Sequence, residues 1–175
     1  DQNTLKSAWR IAGNELMRMV EKGERVVFLA QGDISLFSTG SYLSKVLEKH
    51  HPDCVVKLIP GITSFAAAAA KSNFPLAIQD EELLVVPVPE SSEKLKIILS
   101  ESVLMNRVVV LLKLGTKWTW VKPLLKEFDL LESSIFAERV GFVDQQILRA
   151  SNLSSKSRPY FSLLLIRQSW PSTMP

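Results

Sequence analysis

Cysteine is nearly absent from this 175-residue chain, and long apolar runs are absent altogether. The single cysteine, Cys54, excludes an internal disulfide framework and suits a reducing cytosol. The longest apolar stretches, Val108 to Leu112 and Phe161 to Ile166, are far shorter than the roughly 20 residues that cross a bilayer. No secretory signal is visible. These absences favour a globular, cytoplasmic protein that has no membrane partner.

The chain also lacks a concentrated charge of either sign. Its formal net charge is +3 and its pI is about 9.0, yet lysine and arginine form no dense stripe of the kind that binds nucleic acid. A hydrophobic fraction of 46% and a charged fraction of 22% are typical of a folded domain. We therefore expect a small anionic partner and no nucleic acid.

Several catalytic signatures are missing as well. The sequence has no P-loop, no G-x-G-x-x-G, no G-x-S-x-G and no H-E-x-x-H, which excludes the kinase, lipase and zincin classes. His50, His51 and Cys54 lie close in sequence but have no second cluster of ligands, so we expect no metal site. Histidines in the last turn of a helix are favoured there by the helix dipole.

Apolar periodicity in the first half of the chain predicts alternating helices and strands. Leu5, Trp9, Ala12, Leu16 and Met19 recur at helical spacing, and Gly23 is expected to end that helix. The predicted helices are 4–21, 42–50 and 63–71, and the predicted strands are 25–30 and 54–59. Alternation of this kind is typical of a parallel α/β sheet.

The residue composition changes near Asp80, where prolines and acidic residues cluster. We therefore predict a domain boundary between residues 79 and 80. The first domain, 1–79, would be the remainder of an N-terminal parallel α/β domain, and the second, 80–175, a mixed-sheet α/β domain. The predicted helices there are 92–101 and 116–127, the latter capped by Thr116. The predicted strands are 83–86, 107–113, 134–138, 145–148 and 160–167.

Two glycine turns follow the first two predicted strands. Gln31-Gly32-Asp33 follows one strand, and Pro60-Gly61-Ile62-Thr63-Ser64 follows the other. Glycine permits positive φ or close approach of the backbone, and the hydroxyl residues open a helix whose free amides can receive a polar group. Two such turns on successive strands favour a ligand-binding crevice as much as a purely structural role.

The order of several segments resembles the tetrapyrrole methylase family. The segments are LAQGDISLFST (Leu29 to Thr39), IPGITSFAAAAA (Ile59 to Ala70), PLAIQDE (Pro75 to Glu81), VVLLKLG (Val109 to Gly115) and AERVG (Ala137 to Gly141). The family transfers a methyl group from S-adenosyl-methionine to macrocycles on the cobalamin and related routes. The resemblance implies two α/β domains with the cofactor cleft between them.

The resemblance also implies which residues contact S-adenosyl-methionine and the substrate. The expected cofactor contacts are Gln31, Gly32, Asp33, Leu36, Thr63, Ser64, Leu112, Lys113, Arg139 and Val140. The expected substrate contacts are Ser38, Thr39, Lys117 and Arg149. No motif nominates a catalytic residue, although Asp33 and Glu138 are candidates for removing a proton.

The PGITSF stretch, the late strand that ends in lysine and the terminal PYFSLL are most similar to family members that methylate precorrin-2. The implied reaction is methylation of precorrin-2, or of its cobalt form, at meso carbon 20, by a homodimer. Alternatives are a related methylase acting at another carbon, a relative acting on diphthamide precursors or ribosomal RNA, and a noncatalytic, truncated binding remnant of the fold.

Two features depart from the family pattern. Ile34 stands where proline usually follows the Gly-Asp pair. Family members also begin with a strand and a G-x-G-P-G-D loop, which we expect to be missing here. The activity of this chain would depend on that loop.

Overall fold

The computed structural model describes residues 1–170. They divide into two compact units, residues 1–63 and residues 64–170. Among the described residues, no helix is both long and apolar enough to cross a membrane. The second unit carries the sheet and most of the buried residues.

The first unit is built on two packed helices, α1 (Gln2–Glu21) and α2 (Thr39–His50). The Asp1 side chain caps α1 and that of Ser38 caps α2, since each accepts a hydrogen bond from a backbone amide of the first turn. Gly13 lets the helices approach closely, because a Cβ there would lie 2.9 Å from a methyl group of Val46. As predicted, the helix stops just before Gly23, which has a positive φ.

The two strands predicted for the first unit are wrong. Residues 25–30 and 54–59 have no ladder partner in the described part of the chain, and most of their side chains are exposed, with Val27 at 76%, Leu29 at 87% and Val55 at 96%. An apolar, β-branched run has the propensity for a strand, but a strand forms only when a neighbour supplies the inter-strand hydrogen bonds.

The second unit contains a five-stranded sheet in the order β1-β2-β5-β3-β4. The strands are β1 (Leu83–Pro87), β2 (Val108–Leu112), β3 (Ser134–Glu138), β4 (Gln146–Arg149) and β5 (Ser162–Ile166). Only the β1–β2 pairing is parallel, and the other three are antiparallel. The predicted mixed sheet is confirmed, as are all five predicted strands, within two residues at either end.

Helices cover both faces of this sheet: α3 (Ser64–Lys71), α4 (Ser92–Leu104) and α5 (Trp118–Glu127). Successive residues of β2 point to opposite faces, so Val109 and Leu111 pack in the cluster with α4 and α5, whereas Val110 and Leu112 pack with α3. Ala68 and Ala69 of α3 are buried in that second cluster. The small side chains of these two alanines let α3 pack closely on the sheet.

Three details of the second unit differ from expectation or leave it open. Thr116 does not cap α5, because it lies inside a short 3-10 turn (Gly115–Lys117) that precedes the helix. Helix α3 belongs to the second compact unit, while the domain boundary near Asp80 stays a prediction. The expected last strand, 160–167, is shortened to Ser162–Ile166 because Arg167 leaves the ladder.

Candidate functional site

In the first unit the two glycine turns meet, and the Asp33 carboxylate joins them. Its Oδ2 accepts a hydrogen bond from the Gly61 amide at 2.9 Å, across 28 positions of sequence. Its Oδ1 accepts from the Ser35 amide at 2.8 Å and from the Ser35 hydroxyl. One side chain therefore fixes the first turn internally and holds the second turn against it.

Glycine is required at both turns. Gly32 has a φ of +78°, in the left-handed region that side chains disfavour. A Cβ on Gly61 would lie 2.3 Å from the carbonyl oxygen of Gly32, which is backbone and cannot move aside alone. Both residues are exposed, so the junction presents backbone to solvent with no side chain covering it.

The same hydrogen bonds set the charge of Asp33. The Ser35 hydroxyl, followed by the Gly61 and Ser35 amides, lowers the pKa of the Asp33 carboxyl because these donors favour its charged form. Asp33 is therefore ionised at neutral pH and its oxygens are occupied by donors. That arrangement suits a residue that holds the turns together, and a carboxylate of lowered pKa is a poor acceptor for a proton from carbon.

The flanks of the first turn are also ordered by local contacts. Ser38 accepts from the Gly40 amide at 3.1 Å, and the Ser41 hydroxyl donates to the carbonyl oxygen of Ile34 at 2.8 Å. Ile34 packs against Gly40, where a Cβ would lie 2.7 Å from its side chain. Helix α2 thus anchors the loop in which isoleucine replaces the expected proline. Gln31, Leu36 and Thr39 are exposed around it.

In the second unit, the other predicted cofactor contacts lie at one edge of the sheet. The carboxyl ends of β1, β2 and β3 and the amino end of β5 meet there. Lys113 follows β2 with a φ of +58° and Arg139 follows β3 with a φ of +50°. Left-handed backbone is uncommon at residues with side chains, and Lys113 and Arg139 are two of the seven described non-glycine residues that adopt it.

The side chain of Arg139 is held by its own loop. Its Nε donates to Asp144 at 2.8 Å, and its guanidinium carbon lies 4.5 Å from the centroid of the Phe142 ring. The hydrogen bond from Arg139 lowers the pKa of Asp144. Val140 is half-buried in the same loop, and Leu112 is buried at the end of β2. Arg139 therefore offers a fixed backbone at this edge.

Thr63 and Ser64 lie where the two compact units divide. Thr63 is the last residue of the first unit and is half-buried, and Ser64 begins α3 and is exposed. Gln31 to Leu36 and Thr63 belong to the first unit, while Ser64 and the four later residues belong to the second.

Two predicted substrate residues are hydrogen-bonded to other groups of the protein. Lys117 donates to the carbonyl oxygen of Val88 at 2.9 Å and pairs with Glu90 at 2.8 Å. Arg149 lies at the opposite end of β4 from the edge described above and donates to the carbonyl oxygen of Glu132 at 2.8 Å. Neither the ammonium group of Lys117 nor the guanidinium group of Arg149 is therefore present at that edge as an unpaired charge.

The structure also shows a pair that the sequence did not suggest. Glu138, at the end of β3, is buried, and its Oε2 accepts from Nε of Arg158 at 2.9 Å and from Nη2 at 2.6 Å. The sequence suggests Glu138 as a candidate for proton removal, whereas Arg158 lies in a polar loop and belongs to no motif. No local pattern links residues 20 positions apart, so no signal in the sequence nominated the pair.

The histidine and cysteine residues near position 50 form no metal centre in the described structure. Nε2 of His51 lies 3.0 Å from Oδ1 of Asn14, which ties α1 to the end of α2. Among residues 1–170, no group of three or more histidine, cysteine, aspartate or glutamate side chains is placed to hold a metal ion.

Comparison with known proteins places this chain in a family. The family model for tetrapyrrole (corrin/porphyrin) methylases matches residues 1–154. Because that match covers most of the chain, including both glycine turns and the β2 and β3 edge, the chain belongs to the tetrapyrrole methylases.

Individual relatives point to one branch of that family. The chain is 30% identical to cobalt-precorrin-2 C(20)-methyltransferase of Salmonella typhimurium over 169 residues, which are 94% of this chain and 68% of that enzyme. It is 28% identical over 162 residues to the cobalamin biosynthesis protein CobIJ of Mycobacterium tuberculosis, covering 93% of this chain but only 30% of that protein.

Solved structures support the fold. The methyltransferase CobJ superposes with a TM-score of 0.66 at 23% identity, over 89% of this chain and 69% of CobJ. A uroporphyrin-III C-methyltransferase from Thermus thermophilus, crystallised with S-adenyl homocysteine, superposes with a TM-score of 0.58 at 20% identity over 89% of this chain and 71% of that one. The expected α/β fold of the family is confirmed.

Proposed function

We propose that this chain is the cofactor-binding part of an S-adenosyl-methionine-dependent methyltransferase that acts on precorrin-2, or its cobalt form, at meso carbon 20. The observation that carries the proposal is the pair of glycine turns joined by Asp33, which exposes backbone at a defined junction. The printed activity of the Salmonella relative supplies the substrate and the carbon.

The described residues fit the cofactor. Bare backbone at Gly32 and Gly61, exposed apolar side chains at Leu36 and Ile62, and the hydroxyl of Thr63 suit a ligand with polar and apolar parts. We propose the following cofactor contacts, as the family resemblance implies: Gln31, Gly32, Asp33, Leu36, Thr63, Ser64, Leu112, Lys113, Arg139 and Val140.

Methyl transfer from a sulfonium is an in-line displacement in which the bound cofactor supplies the reactive methyl group. The protein then contributes binding and orientation, which set how often the reacting atoms align. In this chain the Asp33 junction and the left-handed residues Lys113 and Arg139 fix the backbone that would perform this task. Neither an activated serine nor a thiolate is needed.

Basic and hydroxyl side chains would meet the substrate carboxylates. Ser38 and Thr39 remain our substrate candidates in the first unit, and Thr39 is exposed. Lys117 and Arg149 would contact substrate only after leaving Glu90 and the carbonyl oxygen of Glu132. We further propose a cytoplasmic homodimer, as the resemblance implies.

The decisive experiment incubates the full-length protein with precorrin-2 under anaerobic conditions and S-adenosyl-methionine carrying an isotopically labelled methyl group. We expect NMR of the product to show a single label, on carbon 20. A label on another carbon would identify a related methylase and remove the carbon-20 assignment. Absence of S-adenosyl-methionine binding in calorimetry would instead favour a noncatalytic member of the fold.

A further inference from the structure

The β4–β5 loop, residues 150–161, connects both left-handed turns at the candidate edge of the sheet. The Arg158 amide donates to the carbonyl oxygen of Gly115 at 3.3 Å, after β2. The Arg139 amide, after β3, donates to the carbonyl oxygen of Phe161 at 2.9 Å. One loop therefore bonds to the backbone on both sides of β5.

The next residue, Ser162, continues this connection. The Leu114 amide donates to its carbonyl oxygen at 3.0 Å, and the Gly115 amide donates to its hydroxyl oxygen at 3.1 Å. The Ser162 hydroxyl in turn donates to the carbonyl oxygen of Pro159 at 2.5 Å. The conformation of Lys113 and Gly115 thus depends on where residues 158–162 lie.

Glu138 and Arg158 lock this loop in place. The side chains are 7% and 17% exposed, and a single carboxylate oxygen accepts two guanidinium hydrogen bonds. Nη2 of Arg158 also donates to Oε1 of Gln146 at 3.1 Å, and its guanidinium carbon lies 5.3 Å from the Phe136 ring centroid. Charged hydrogen bonds in a mostly buried setting are stronger and more directional than exposed ones.

We infer that Glu138 and Arg158 are positioning residues for the cofactor: they hold the turns that contain Lys113 and Arg139 in their left-handed conformations. The inference rests on the proposed function. It also assigns Glu138 a role other than proton removal, since the carboxylate oxygen nearest Arg158 is occupied by two donors and the residue is 6% exposed. A base must instead reach the proton it removes.

The two roles predict opposite kinetics for Glu138→Gln. A positioning role predicts a Kd for S-adenosyl-methionine raised by about tenfold, with kcat at saturating cofactor changed little, because the Arg158 guanidinium would bond to a neutral amide oxygen more weakly than to a carboxylate. A role as base predicts an unchanged Kd and a kcat lowered by about 100-fold or more, with a changed pH profile. Arg158→Met should match Glu138→Gln, and Arg158→Lys should restore part of the affinity.

A matched control pair lies at the opposite end of the sheet. Arg167 and Glu81 form a second buried pair, with side chains 2% and 6% exposed, beyond the other end of β5. Glu81→Gln should lower thermal stability comparably but leave the cofactor Kd of the folded protein unchanged.

The experiment combines calorimetry with S-adenosyl-methionine, thermal denaturation and steady-state kinetics on the full-length protein. A raised Kd in Glu138→Gln and Arg158→Met, but not in Glu81→Gln, supports the inference. An unchanged Kd in both Glu138→Gln and Arg158→Met overturns it while leaving the proposed function intact. Equal loss of affinity in Glu81→Gln also overturns it, since the effect would then be general destabilisation. Failure of the wild type to bind the cofactor overturns the proposed function together with this inference.

Discussion

Asp33 and Gly61 show how single residues define the candidate site. Asp33 is expected at a turn, where its carboxylate normally accepts amides nearby in sequence. Here one of its oxygens reaches Gly61, and the two turns approach so closely that the backbone at Gly61 leaves no room for a Cβ. The local sequence contains both glycines and the aspartate, but their mutual contact is a tertiary feature.

Gly61→Ala is expected to separate the two turns and weaken S-adenosyl-methionine binding strongly. The added Cβ would lie 2.3 Å from the Gly32 carbonyl oxygen, so the backbone must move. Calorimetry measures the affinity, and circular dichroism checks that the protein remains folded.

Gly23→Ala is the control for this change. Gly23 has a φ of +82° with no atom within 4 Å of an added Cβ, so its substitution introduces backbone strain of about 1 kcal/mol away from the turns. We expect lower stability with unchanged affinity. If Gly61→Ala binds the cofactor as well as Gly23→Ala does, the junction is not part of the site.

The helices and strands divide into those that local pattern predicts and those that need a partner. All five predicted helices are present, because helical hydrogen bonds join residues four apart and the apolar spacing reports the buried face. The five strands of the second unit also form, since each finds a neighbour in the sheet. Residues 25–30 and 54–59 are also apolar and β-branched, but they have no ladder partner among residues 1–170.

Hydrogen exchange should separate these two groups of segments. Amides of residues 25–30 and 55–59 have no backbone hydrogen bond in the described structure and should exchange rapidly, whereas β2 and β5 at the centre of the sheet should be protected. Mass spectrometry of peptides from each segment gives the measurement, with peptides from α4 as a protected reference. Strong protection of 25–30 would show that this segment pairs with another strand in solution.

The molecule as a whole distributes its buried residues unevenly. The buried clusters that pack on the sheet lie between residues 68 and 166, in the second unit. The buried hydrophobic side chains of the first unit are Leu43 and Leu47, among the described residues. Stability follows buried apolar area, so the two units should differ in resistance to denaturant.

We expect unfolding in urea to proceed in two steps, with residues 1–63 first. Trp9 stacks on Tyr42 in the first unit, and Trp118 is fully buried in the second, so each reports on one unit. Variants in which Trp9 or Trp118 is the sole tryptophan, with the other three replaced by phenylalanine, should show a lower urea midpoint for Trp9 than for Trp118. Coincident midpoints would show instead that the two units unfold as one cooperative body.

The amino-acid sequence by itself determined the helices, the mixed sheet, the glycine turns and the family, because these depend on short-range spacing and on ordered segments of recognisable sequence. Only the tertiary structure decided that residues 25–30 and 54–59 stay unpaired, that Lys117 and Arg149 are engaged elsewhere, and that Glu138 is bound by Arg158. These outcomes depend on which groups meet across many positions of chain. Hydrophobic periodicity and residue propensity are local properties, so they could not predict contacts between residues far apart in sequence.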